Sequence, residues 1–397
     1  MTRRRLALAL LLLGGCHTGF KETDADATIP HDGPRPEGST SDSEVVPPEC
    51  PAKVKSEDVD SVHEPGAYSS IVVDGKGDVH ISHMAQGPTP GPMGGDWFDA
   101  RYTVRRAGLW SSEDIYTPGV VGAYSALGLG PGGELHVVFY SYSSRDLVHS
   151  WRDSQGWKPA QVMSTSYNDG WGTDLAVDSS GTVHVVTFKG AEGTIDGEWL
   201  YLRRVGSKWQ SPVVLESPAG GGGPSSGIAV DSTGTVHVSF SNHLGQLKYR
   251  SGKDGSFKTA VILDTGLGEL CRSDLALDGQ GQVHISYYDS VPKTLRYIGQ
   301  TGGIFGQAVT LDSAGQVGAN NAIAAGDDDV WIAYHDADNR DLKLIRRAKG
   351  SWGQAVPVDT AGEVGLHVSA ALGPGGELHI SHYNMTSKSL RHTRVCP

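Results

Sequence analysis

The chain repeats itself. A short apolar run, a Gly/Asp turn and an alternating run built around a histidine recur seven times along its 397 residues. The clearest copy is 273–297, SDLALDGQGQVHISYYDSVPKTLRY. The marker of the alternating run is His80, His136, His184, His237, His284, Trp331 and His379, so the period is near 50 residues. Each unit holds four strand-like runs. One such unit cannot bury its apolar faces alone, whereas a closed ring of them can. In the clearest copy, strands are expected at 274–277, 282–287, 293–298 and 305–311. Tight turns fall at 278–281 and at Gly302-Gly303, where glycine supplies φ > 0. The chain has 54 glycines and almost no helical periodicity. The expected fold is all-β: a seven-bladed β-propeller of four-stranded antiparallel blades.

The ring also has to close. Copy seven stops at 395–397, just after its third strand. Residues 51–60 precede copy one as 354–359 precede copy seven. The N-terminal segment is therefore expected to donate the outer strand of the last blade, which removes a free sheet edge. Cys50 and Cys396 then fall in the same turn, and a disulfide between them is expected in an oxidising compartment. Cys271 is read as a lone thiol. An aromatic near the start of each fourth strand (Trp110, Trp157, Trp209, Phe257, Phe305, Trp352) is expected to pack between neighbouring blades.

The chain begins MTRRRLALALLLLGGC. Its apolar run is too short to span a bilayer. Leu13-Gly14-Gly15-Cys16 resembles the lipobox of bacterial lipoproteins. The resemblance implies a signal peptide at 1–16, lipidation of Cys16 and a place in the cell envelope. His17 rather than Asp after the cysteine points to the outer membrane of a Gram-negative bacterium. Residues 17–49 are polar and poor in apolar side chains, so they read as a disordered tether, spanning roughly 30 Å as a flexible coil. The propeller then occupies 50–397. The formal charge is −12, and −15 once Arg3, Arg4 and Arg5 are removed. With no basic run, this excludes nucleic acid and anionic membrane surfaces as partners. Membrane contact is expected only through the lipid, and the protein is expected to be a monomer.

The Asp-x-x-Gly-x-Val-His-[Ile/Val]-[Ser/Val] runs at 231–239 and 278–286, with Leu-[Lys/Arg]-Tyr at 247–249 and 295–297, resemble the repeats of sialidase-like (BNR-type) propellers in bacterial surface lipoproteins. The resemblance implies the fold. It does not extend to sialidase activity. The Asp box of true sialidases lies between the third and fourth strands, whereas Asp-x-x-Gly here lies between the first and second. No Phe-Arg-Ile-Pro stretch is present either.

A catalytic residue is needed once, so a histidine that recurs in six copies reads as blade packing. The informative positions are the loops at the end of the ring where strands two and three, and four and one, are joined. The candidate ligand-binding residues there are Tyr140, Tyr142, Arg145, Trp171, His243, Tyr288, Asp289, His335, Asp336, His382 and Tyr383. Arg272, Asn320, Asn321, His367, Tyr167, Glu269 and the Gly/Pro loop 86–96 share that end. Flat rings and planar polar groups suit sugars. The expected function is non-catalytic binding of a glycan or protein at the cell surface. Two alternatives stand beside it. One is a polysaccharide lyase or glycoside hydrolase at the channel mouth, with His335, Tyr288 and Arg272 as candidates for base, acid and charge neutraliser. The other is a scaffold for an envelope complex. No cofactor and no metal are expected; Asp327–Asp329 reads as an acidic turn.

Overall fold

The structure is a computed structural model that describes residues 54–87, 97–163, 168–190, 197–219, 226–268 and 272–396. Seven antiparallel sheets form the ring. Lettering the strands a to d from the axis outward, blade one runs Ala67–Val73, Val79–Gln86, Phe98–Arg106 and Leu109–Tyr116. The a strands of neighbouring blades pack on one another around the axis. Blade five matches the expected copy: Ser273–Leu277, Val283–Asp289 and Thr294–Thr301 are strands a to c. Strand d differs from the single run expected at 305–311. It is split into Ile304–Phe305 and Val309–Asp312. Three residues, 306–308, stand opposite two, 298–299, so one extra residue leaves the ladder. Such a bulge re-aims the side chains beside it, and Phe305 turns toward the preceding blade, four.

The closing strand is Lys55–Asp60. It pairs antiparallel with Ser389–Val395, Lys55 opposite Arg394 and Asp60 opposite Leu390. Its carboxylates face two blades. Asp58 accepts from the Ser389 hydroxyl at 2.6 Å and from Arg391 at 3.0 Å in blade seven. Asp60 accepts from Arg101 at 2.7 Å, and Glu57 from the Trp110 indole at 3.1 Å, both in blade one. Cys396 is half-buried and bonded to no cysteine among the described residues; Cys50 lies outside them.

The recurring histidines are architecture. The tyrosine hydroxyl of strand c meets the histidine Nδ1 at His80–Tyr102 (2.6 Å), His184–Tyr201 (2.7 Å), His237–Tyr249 (2.7 Å) and His284–Tyr297 (2.6 Å). On the other side, Nε2 faces the turn carboxylate of Asp178, Asp231 or Asp278 at 3.2–3.4 Å. That carboxylate also accepts backbone N–H groups of its own turn, such as Gln280 and Gln282 on Asp278. Burial holds each imidazole pKa below its ordinary value. A neutral ring has one donor and one acceptor, which is what this position uses. Blades two and seven replace the tyrosine by His149 and His392, 3.1 and 2.9 Å from His136 and His379. Blade six substitutes Trp331, with the Arg346 guanidinium 4.3 Å over its ring.

The same strand-c ring is where the strand-d aromatic of the next blade lands. Trp157 meets Tyr102 edge-on at 5.4 Å, Phe257 meets Tyr201 at 4.8 Å, Phe305 meets Tyr249 at 4.9 Å and Trp352 meets Tyr297 at 4.8 Å. Trp209 on His149 and Trp110 on His392 complete the series. Six of the seven blade junctions are thus keyed by one such aromatic pair, a contact typically contributing about 0.5–1.5 kcal/mol beyond its area. Tyr297→Phe removes the hydroxyl that His284 depends on, inside a buried network. The expected cost is about 1–2 kcal/mol in denaturant unfolding. A loss below about 0.3 kcal/mol would contradict the structural role.

Candidate functional site at the channel mouth

Strand a begins with a bulge in several blades. Gly66, Gly122, Gly318 and Gly365 have φ of 113°, 97°, 94° and 84°. A Cβ on Gly66 would stand 2.8 Å from the Leu390 backbone, so only glycine fits that approach. Two residues later come Tyr68, Tyr124, Asn320 and His367. Three of these are held in the left-handed region: Tyr68 at φ 53°, Tyr124 at 50° and His367 at 51°. Bulky side chains there cost of order 1–3 kcal/mol each, and such strain concentrates at working sites. The bulges turn the three rings out of their own sheets and toward each other across blades seven, one and two. His367 lies 4.5 Å from Tyr68, and Tyr68 lies 4.8 Å from Tyr124. Trp171 stacks on Tyr124 at 6.3 Å with 14° between the planes. Tyr140 stands edge-on to Trp171 and to Tyr142, and Tyr383 edge-on to His367. Tyr142 and Trp171, foreseen from the sequence, are half-exposed and form one wall with half-exposed Tyr124, which was not foreseen; Tyr140, Tyr383, Tyr68 (also not foreseen) and His367 are buried behind it. The signal that marks them is Gly-Ala-Tyr-Ser, present at 66–69 and again at 122–125.

The hydroxyls of Tyr68, Tyr124 and Tyr142 hydrogen-bond to one another. Burial pushes the Tyr124 pKa up to about 12, and those of Tyr68 and Tyr142 up further. All three are neutral phenols at physiological pH. Opposite this wall is a charged cluster. Arg272, just ahead of strand a of blade five, is half-buried and donates to the Asn320 amide oxygen at 3.2 Å. Burial pulls its pKa down, against the charges of Asp274 and Asp174 and the phenols of Tyr68 and Tyr124. Asp174 accepts the N–H of Ile228 in blade four at 2.9 Å and of Leu175 at 2.8 Å. Asp274 accepts the N–H of Ile323 in blade six at 2.9 Å and of Leu275 at 2.8 Å. Burial first, and then the Asp274 charge, raises the Asp174 pKa to about 7. Burial raises Asp274 as well.

The remaining candidates go elsewhere. Asp289 and Asp336 cap their own loops, accepting the N–H of Val291 at 3.2 Å and of Asn339 at 3.0 Å. They also pair with Arg296 and Lys343 and are buried. Ser141, Asn242 and Asn384 cap the same position in blades two, four and seven. The two carboxylates, candidates for ligand binding in the sequence, thus fill a capping position that belongs to the repeat. His382 is fully buried between the Gly365 N–H at 3.2 Å and the Thr393 hydroxyl at 3.0 Å, and burial lowers its pKa to about 4. His335 is 6 % and Tyr288 7 % exposed, and burial lowers His335 to about 4. Of the base, acid and neutraliser candidates, only Arg272 is open to the channel. The Tyr288 N–H does support Arg272, donating to its carbonyl at 3.2 Å. Arg145 and His243 are exposed at loop tips. Tyr167, Glu269, Cys271, Cys16 and most of the 86–96 loop lie outside the described residues.

Among the described residues, no three His, Cys, Asp or Glu side chains are grouped to hold a metal. At the other end of the ring, a cavity of about 390 Å³ opens between blades three and four, lined by Thr182, His184, Arg203 and Lys253 among others. Its cations are already held, Arg203 by Asp254 at 3.1 Å and Lys253 by the Thr233 carbonyl at 2.6 Å.

No protein-family model and no curated protein sequence matches the chain. Solved structures do match. An ulvan lyase of polysaccharide lyase family PL25, bound to -[GlcA(1-4)Rha3S]-, is 12 % identical with a TM-score of 0.58, covering 86 % of this chain and 96 % of its own. AofleA from Arthrobotrys oligospora is 12 % identical with a TM-score of 0.51, covering 77 % and 90 %. The Aleuria aurantia lectin in complex with Fucalpha1-6GlcNAc is 13 % identical with a TM-score of 0.50, covering 77 % and 99 %. At these identities the likeness is one of fold: the chain is a seven-bladed propeller.

Proposed function

We propose that this propeller is a lipid-anchored envelope protein that binds a glycan, without cleaving it, at the mouth of its central channel. Cys16 carries the lipid, residues 17–49 form the tether, and a Cys50–Cys396 bridge fastens the closing strand. The observation that carries the binding reading is the half-exposed trio Tyr124, Tyr142 and Trp171, backed by the strained, buried rings of Tyr68 and His367 and facing Arg272. Packing alone does not require rings at positive φ, and an apolar wall opposite a few fixed polar groups is the usual make-up of a sugar site. Two of the structural neighbours are named for the glycans they hold, in keeping with this reading, which rests on the mouth residues themselves.

The test is a glycan array followed by calorimetry on the best hit. Tyr142→Phe and Trp171→Ala are expected to weaken binding about tenfold or more, a loss of about 1.4 kcal/mol or greater, with Tyr142→Phe still folding to a cooperative melt. Products absorbing in the ultraviolet after incubation with a uronate polysaccharide would overturn the non-catalytic reading in favour of a lyase. Absence of any saturable sugar, with an envelope protein captured instead, would overturn the glycan reading altogether. Mass mapping without reductant tests the bridge, and an unpaired Cys50 would sink it.

A further inference from the structure

Building on the glycan reading of the channel mouth, we infer that Asp174 and Asp274, flanking Arg272, restrict the site to uncharged sugars and turn away uronates and sulfated sugars. The strand-a residues opposite Ser82, Val186, Ser239, Ser286 and Ser381 are Ser70, Asp174, Gly227, Asp274 and Ser369. At this position a side chain has one structural task, to accept the backbone N–H of the following blade. Ser70 does so for Leu127 at 3.0 Å, and Ser369 does so for Ile71 at 3.2 Å. A neutral hydroxyl is therefore sufficient. In blade four, Gly227 has no side chain at all, and blade five comes so close that a Cβ there would stand 2.6 Å from the Leu275 nitrogen.

Blades three and five use carboxylates for the same task and place two like charges near one another in a half-buried position. That arrangement costs free energy that serine does not. Among the described residues, the cation that faces both is Arg272. The phenols of Tyr68, Tyr124 and Tyr142 are neutral, and Asn320 and Asn321 carry no charge. With both carboxylates ionised, the cluster around the guanidinium is net negative. It offers hydroxyl-bearing sugars both donors and acceptors. A sugar carboxylate or sulfate meets an arginine whose charge is already offset, beside two anions. The chain's overall charge of −12 adds to the repulsion.

The charge is adjustable. The groups facing Asp174 are Asp274 and Arg272, with Tyr68, Tyr124 and His367 on the adjoining wall. As pH falls from 8 to 6, Asp174, whose pKa stands at about 7, takes up a proton and the cluster approaches neutrality, while sugar uronates and sulfates stay ionised.

The experiment uses the full propeller on an array presenting each neutral hexose oligosaccharide beside its uronate and its O-sulfate. At pH 8 the parent is expected to bind the neutral member at least tenfold more tightly. Asp174→Ser/Asp274→Ser, which installs the residue that blades one and seven already use, is expected to narrow the gap to threefold or less. Lowering the pH to 6 narrows it for the parent and leaves the double variant unmoved. Equal or tighter binding of the charged member by the parent, or an unchanged gap in the serine variant, overturns the inference and leaves the glycan site standing. Absence of binding to every sugar overturns both. A melting temperature for the double variant equal to or above the parent's confirms that the carboxylates are not needed for folding.

Discussion

A chain beginning at residue 61 is expected to melt at least about 10 °C below one beginning at residue 51, and to aggregate where the longer one does not. Residues 51–60 contain the closing strand and little else. Without it, Ser389–Val395 becomes a free edge, a template for pairing with other chains. Its ladder of hydrogen bonds is lost, at about 1 kcal/mol each net. Buried groups are stranded as well. Arg391 keeps only Asp359, at 2.8 Å, Arg101 keeps only Asp114, and the Trp110 indole loses its carboxylate acceptor. Together these amount to ~5 kcal/mol or more, and at roughly 2–4 °C per kcal/mol the melting shift follows. Differential scanning of the two chains is the measurement. Midpoints within 2 °C of each other would mean that the ring does not depend on its N-terminal strand.

Acidification is the second large effect. Burial drives His83, His136, His335 and His382 down to about 4 and His392 to about 3, from an ordinary value of 6.5. For a basic group with a lowered folded pKa, the unfolded chain takes up the proton first. Stability is therefore full above about pH 6.5 and falls as the pH drops below it. At pH 5.5 each of these five costs about 1.3 kcal/mol, some 6–7 together. Asp99, raised to about 6 by burial, and Asp174, raised to about 7, work in the opposite sense. The folded state binds their protons first, which returns about 2–3 kcal/mol over the same interval. The net expectation is a loss of about 4 kcal/mol between pH 7.5 and 5.5, a large share of a typical domain's stability. Urea unfolding at a series of pH values reads it directly. A flat profile above pH 5 would show that these imidazoles are charged in the folded protein.

How much of this was legible in the sequence depends on whether a residue's role is periodic. Strand positions, blade count, the strand-d aromatics and the closing strand all follow from a repeat that each blade must satisfy to bury its faces. The recurring histidines were readable as packing for the same reason. Asp289 and Asp336 misled because capping a loop needs any short acceptor, so Ser141, Asn242 and Asn384 disguise the repeat that the two aspartates obey. Tyr68 and Tyr124 were missed for a different reason. In AYSSIVV and AYSAL they sit in an alternating apolar strand, where a tyrosine reads as core. A one-residue bulge carries each out of that alternation, and only backbone geometry reveals it. Asp174 and Asp274 likewise sit where strand periodicity alone gives no hint that Arg272 will come to lie beside them.

The aromatic wall straddles the place where the two ends of the chain meet. His367 and Tyr68 touch, yet 298 residues separate the partners when the Ser69 hydroxyl donates to the His367 carbonyl at 2.8 Å. This part of the wall therefore comes together only when the first and last blades meet. A fragment ending before residue 366 lacks His367 and leaves Tyr68 without its ring partner across the seam. Under the proposed reading, ligand occupancy would report a closed ring. Under the proposed glycan reading, a bound sugar is expected to act as a clasp across that seam, because a ligand that binds only the closed ring stabilises it.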